Sequence, residues 1–117
     1  MSIDDLLRRV KHGESFLVAN DGQYLGKLTF NRYDSESIYN PYGSYGSRYS
    51  STSIFNPYSS YGSRYSSLSP FNPYTSTPPT IYMYGQDVGL LTKNRYLGPY
   101  GVDPETLDQF MRVKGIS

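Results

Sequence analysis

Ile3, Leu6, Leu7 and Val10 recur at helical spacing and place one apolar stripe on the segment 2–12. Ser2 precedes the stripe as an N-cap with Asp5 three residues on, the pattern of a capping box, and Gly13 follows as a stop. The period then changes. Phe16–Ala19 and Tyr24–Phe30 are apolar runs separated by Asn20-Asp21-Gly22-Gln23, which predicts a β-hairpin over 15–30, with Leu28 and Phe30 alternating with Thr29 on one buried face. A second hairpin is expected over 79–93, from Thr80–Tyr84 and Val88–Thr92 around a turn at Gly85-Gln86-Asp87. Near the end, Leu107, Phe110, Met111 and Lys114 return to helical spacing. Asp103 as N-cap, Pro104 at the first helical position and Gly115 as a stop bound a helix over 103–114, and Glu105 suits its positive end.

The two hairpins are copies of one pattern. With an offset of 63, Gly22, Gln23, Gly26, Leu28, Thr29, Asn31, Arg32 and Tyr33 meet Gly85, Gln86, Gly89, Leu91, Thr92, Asn94, Arg95 and Tyr96, eight identities in twelve positions. This reads as an internal duplication. Two such hairpins can pair into a four-stranded sheet, since one alone is marginal in water, and the two helices are expected to cover its apolar face. Gly26 and Gly89 hold the same place in each hairpin and predict a bulge or a close backbone approach.

Between the hairpins, residues 31–76 form three repeats at a period of 16 without an insertion, the third ending two residues short. Each carries Arg-Tyr, then Ser-(Ile/Pro)-(Tyr/Phe)-Asn-Pro-Tyr, and the first two close on Tyr-Gly. A disordered linker needs composition rather than register, so the constant register predicts order. Asn-Pro initiates turns, and serine side chains satisfy nearby backbone groups, so the expected form is stacked turns with little helix or strand.

Composition narrows the function. The 117 residues allow one domain. The 14 tyrosines supply ring area that the modest aliphatic content does not, so the core should be thin and partly polar. A formal net charge of +1 gives no long-range field for a polyanion or an anionic membrane. There is no Cys, hence no disulfide frame and no thiolate metal site, which points to a reducing compartment and a cytoplasmic location. Met1–Val10 lacks the apolar run of a signal peptide, and no stretch reaches the roughly 20 apolar residues of a membrane span.

Enzymatic chemistry is not expected. His12 is the only histidine, placed at the end of a helix, and no Ser has an identifiable base. Asp34 and Glu36 occur only in the first repeat, as surface pairs would. No cofactor or metal is implied. The sharpest candidates are Arg32, Arg48, Arg64 and Arg95, each followed by a tyrosine (Tyr33, Tyr49, Tyr65 and Tyr96). In one arrangement the guanidiniums are internal struts, lying over rings or bonding turn carbonyls. In the other they form a row for recognition, because Arg and Tyr are the residue types of protein hot spots and also grip single-stranded nucleic acid or another anion.

The string Ser-Ile-Phe-Asn-Pro-Tyr-Ser-Ser-Tyr-Gly-Ser-Arg-Tyr-Ser-Ser, with Asp-Gly-Gln-Tyr-Leu-Gly-Lys-Leu ahead of it, resembles a group of bacterial proteins carrying tandem tyrosine-rich repeats beside short hairpins. The likeness spans about residues 20–100. It implies a bacterial or phage-like origin and no particular activity. Leu6–Val18 is also similar to the helix–Gly-Glu–strand opening of Phd-type antitoxins, a common pattern covering under a quarter of the chain, and the rest departs from that family.

The sequence thus predicts an α+β domain: a small antiparallel sheet from two hairpins, two flanking helices and a long ordered repeat loop. The expected role is a non-enzymatic protein-interaction or structural module. Its partner is expected to be another protein or a second copy joined through an unpaired sheet edge. Nucleic acid is the less favoured ligand, and no membrane is involved.

Overall fold

A computed structural model describes residues 2–117 as an α+β fold. Helix α1 spans Ile3–Lys11, and the Ser2 hydroxyl accepts the Asp5 amide hydrogen at 3.3 Å. Strands β1 (Phe16–Val18) and β2 (Tyr24–Lys27) form the first hairpin, and β3 (Thr80–Met83) and β4 (Gln86–Leu91) the second. A two-residue strand β5 (Gly101–Val102) follows. A 3₁₀ turn at Pro104–Thr106 then leads into helix α2 (Leu107–Val113).

The sheet runs β2-β1-β3-β4-β5. Pairing is antiparallel as far as β4, while β5 lies parallel to β4, so the sheet has one strand more than two hairpins provide. The second turn is also tighter than its sequence indicated. Tyr84 and Gly85 alone make it, both with positive φ as a type I′ turn requires, and Gln86 and Asp87 already belong to β4. Strand β2 ends at Lys27, so Thr29 and Phe30 leave the sheet. Phe30 stacks instead on Tyr39, with ring centroids 5.3 Å apart.

In both hairpins the register shifts beside a glycine, opposite Leu17/Val18 and opposite Ile81/Tyr82. The reason is close approach. A Cβ on Gly26 would stand 2.7 Å from Tyr45 Cβ, and one on Gly89 would collide with the Tyr100 carbonyl.

Strand alternation gives the sheet two faces, and the helices lie on opposite ones rather than sharing one. On the first, Phe16, Val18 and Tyr24 pack with Tyr82 against Leu6 and Val10 of α1; the Phe16 and Tyr82 rings stack at 5.0 Å. On the second, Leu17, Leu25, Ile81, Met83 and Leu91 pack against Leu107 and Met111 of α2 and against Ile38 and Ile54 of the repeat. An amphipathic pattern shows that a helix buries one stripe but not which face of a two-sided sheet receives it.

The repeat resolves into triplets. At Asn31, Asp34, Ser37, Asn40 and their equivalents through Asn72, the carbonyl accepts the amide three residues on, while the side-chain oxygen accepts the amide two residues on, mostly at 3.0–3.3 Å. This chain of Asx- and Ser-turns satisfies the backbone locally, so no strand pairing is needed. Five triplets and one glycine, Gly46 or Gly62, make each of the first two 16-residue coils, and the third has its five triplets followed by Pro78. The third triplet faces the sheet, with Ser37, Ile38, Ser53, Ile54, Ser69 and Pro70 all buried. Asn40, Asn56 and Asn72 each donate Nδ2–H to the carbonyl six residues earlier and brace the coil.

The first coil also closes the sheet edge. Ser37 bridges Lys27 in parallel, the Lys27 amide donates to Glu36 and the Ile38 amide to Lys27. With β5 on the other side, the hairpins do not present the long unpaired edge on which strand-mediated self-association rested.

Candidate interaction surface

Glu36 and Asp34 of the first coil form half-buried pairs with α1 and the sheet. Arg9 of α1 is 17% exposed and donates to Glu14 (2.8 Å), Glu36 (3.2 Å) and the Tyr24 hydroxyl (3.3 Å), with its guanidinium 4.0 Å from the centroid of the Tyr24 ring. Tyr24 in turn donates to Glu36 at 2.6 Å, and burial followed by that carboxylate pushes its phenol well above the ordinary range. This knot ties helix, sheet and first coil together. Nothing in the sequence marks Arg9 apart from its neighbour Arg8, which stays on the surface with Asp5.

Asp34 accepts from the Glu36 amide at 2.9 Å and from Lys27 Nζ at 3.1 Å, and these bonds, the backbone one first, hold its carboxyl below the usual range. A depressed native value means stability present above about pH 4 and lost as pH falls through that value. Acid titration of unfolding is therefore expected to show a loss in wild type that Asp34→Asn lacks, because Asn keeps the turn acceptor without the charge.

The Arg/Tyr rows lie on the outside. Tyr33, Tyr49, Tyr65 and Tyr96 are 85–96% exposed, as are Tyr42, Tyr58 and Tyr74 of the Asn-Pro-Tyr triplets. Arg32, Arg48, Arg64 and Arg95 are exposed too, and among the described residues none of them joins an ion pair. One cation–π contact occurs, Arg64 over its own Tyr65 at 5.8 Å. Asn94-Arg95-Tyr96 repeats the Asx-turn of Asn31-Arg32-Tyr33, with the Tyr96 amide on Asn94 Oδ1 at 2.9 Å, and Asn94 is anchored to the last coil through the Thr75 carbonyl.

The rows are only partly gathered. Arg48, Arg64 and Tyr65 line one hollow of about 420 Å³ with Tyr58, Phe55 and Phe71. Phe55 and Phe71 continue, with Tyr39, into a second hollow bounded by Pro104, Glu105 and Asp108, and Tyr39 and Asp108 reach a third that holds Arg32. The three share walls and form one trough floored by the third residues of the buried triplets. Burial and the Asp108 charge raise the Tyr39 hydroxyl to about 12, so this floor is uncharged at neutral pH. Arg95 and Tyr96 stand outside the trough, as do Tyr33 and Tyr49. Sequence reasoning missed Tyr58, Phe55 and Phe71, although their constant place in the repeat was the signal for them.

His12 is exposed at the C-cap of α1. Among the described residues, no three His, Cys, Asp or Glu side chains are grouped to hold a metal ion, and no helix is long and apolar enough to cross a membrane. Compared with protein-family models, characterised proteins and solved structures, the chain matches none.

Proposed function

We propose that the chain is a non-enzymatic protein-interaction module that displays Arg32, Arg48, Arg64 and Arg95 with their following tyrosines on a scaffold of turns. The observation that carries this reading is that the coil's backbone is satisfied internally while the large aromatic and cationic side chains of the Arg-Tyr triplets are exposed, the arginines without an ion pair among the described residues. Seven almost fully exposed tyrosines offer a partner rings that the fold itself does not bury. The outward residues are chiefly Tyr, Ser and Arg, types that antibody paratopes also use, where Tyr gives large contact area at low entropic cost and Arg supplies hot spots. A rigid turn scaffold reduces the ordering cost of binding further.

The second reading, an anionic ligand such as single-stranded nucleic acid, is favoured by one observation: Arg48 and Arg64 share a hollow with stacking rings. Affinity capture from cell lysate separates the two. The expected result is a stoichiometric protein retained at high salt and lost in Arg48→Ala/Arg64→Ala. Recovery of nucleic acid that falls away steeply as salt rises would overturn it.

A further inference from the structure

We propose that the hollow between the second and third coils seats a carboxylate and the adjoining apolar side chain of an acidic protein segment, an assignment that rests on the protein-binding reading above. Between Ser37 and Gln86 the only charged residues are Arg48 and Arg64. The near-neutral net charge therefore conceals a stretch of 50 residues that is purely cationic. Arg48 and Arg64 line the same hollow, neither has an ion-pair partner among the described residues, and the hollow's other walls include Phe55, Phe71, Tyr58 and Tyr65.

Such a hollow asks two things of its occupant. Guanidiniums without an ion-pair partner favour a planar anion that can accept from a planar fork, which is a carboxylate. The rings and Ile54 beneath them favour an apolar side chain beside that charge. A phosphate polymer would satisfy the arginines equally well, but the trough continues over Phe55 and Phe71 to Glu105 and Asp108. A strand of evenly spaced phosphates laid along it would meet those carboxylates. A peptide carries its charge at one place, and its basic or neutral residues can lie against that end.

The test is an NMR titration of the isotope-labelled full chain with acetyl-Gly-Glu-Phe-Glu-Gly-amide, with the same peptide bearing Gln for Glu, and with an oligothymidylate. The Glu peptide is expected to shift resonances of Gly62, Arg64 and Tyr65. Its affinity should fall about tenfold or more on exchange of Glu for Gln, and by as much in Arg48→Gln/Arg64→Gln, whose unchanged spectrum elsewhere reports an intact fold. No shift with the Glu peptide, equal binding of the Gln peptide, or tighter binding of the oligothymidylate would each overturn the carboxylate seat. If the seat fails but the chain still captures a protein that Arg48→Ala/Arg64→Ala releases, the broader interaction reading survives. If capture fails as well, both fall.

Discussion

Gly62→Ala is expected to destabilise the protein by about 3 kcal/mol or more, seen as a fall in the urea midpoint, whereas the exposed neighbour Ser60→Ala should stay within about 0.5 kcal/mol. Each of the first two coils ends on a glycine at its sixteenth residue, and there the backbone passes close to the Asn-Pro-Tyr triplet. A Cβ on Gly62 would press into the Asn56 carbonyl, standing 2.8 Å from its carbon and 2.7 Å from the Ile54 carbonyl oxygen. Gly46 meets the Asn40 backbone in the same way one coil earlier. The obstacle is backbone already held on both sides: Asn56 donates Nδ2–H to the Ser50 carbonyl, and its own carbonyl accepts from Ser59. Neither side can retreat without breaking the turn ladder. The residue is thus required for space rather than for a left-handed φ, which Gly62 does not adopt. A result below about 1 kcal/mol would mean that the coils are not packed as described.

The period of 16 was visible in the sequence, but the smaller unit that generates it was not recognised there. Ser, Asn or Asp leads every triplet except those that begin at Gly43 and Thr75, and the structure shows why: such a side chain accepts one turn amide while its carbonyl accepts the next. The extra glycine turns a threefold repeat into a period that is not a multiple of three, which obscures the triplets on reading. The α+β class, with two hairpins and two helices, was legible because those elements carry strong periodicity and caps. Strand β5 was not, since Gly101-Val102 is too short to show alternation and pairs through two bonds, from the Leu90 amide to the Tyr100 carbonyl and from the Thr92 amide to the Val102 carbonyl. The Arg9–Glu36–Tyr24 knot was hidden for a different reason. Its members lie up to 27 residues apart, and only tertiary packing distinguishes a buried arginine from the solvated one beside it. The candidate rows were legible as to residue type. Their division into an exposed outer row and a trough floored by the buried triplets was not.

Ile54→Ala should cost about 3 kcal/mol, and this measurement decides whether the repeat belongs to the folding unit or merely decorates it. Ile54 is 1% exposed and packs in the same cluster as Leu17, Leu25, Ile81, Leu91 and Met111, so removing three carbons leaves a cavity under the middle coil. Ile38 holds the equivalent place one coil earlier, and Pro70 one coil later. A loosely tethered loop would absorb the change with almost no shift in midpoint, because its apolar residues would already be in water. Four positions further on, Tyr58 is 94% exposed, and Tyr58→Ala should leave the midpoint within about 0.5 kcal/mol. The pair separates the two uses of the coil. Substitutions at the second residue of the inward triplets should move stability, whereas substitutions at Tyr49, Tyr58 or Tyr65 should move binding at constant stability. If Tyr58→Ala destabilised as much as Ile54→Ala, the outward rings would be packing residues, and the recognition reading of the rows would lose its basis.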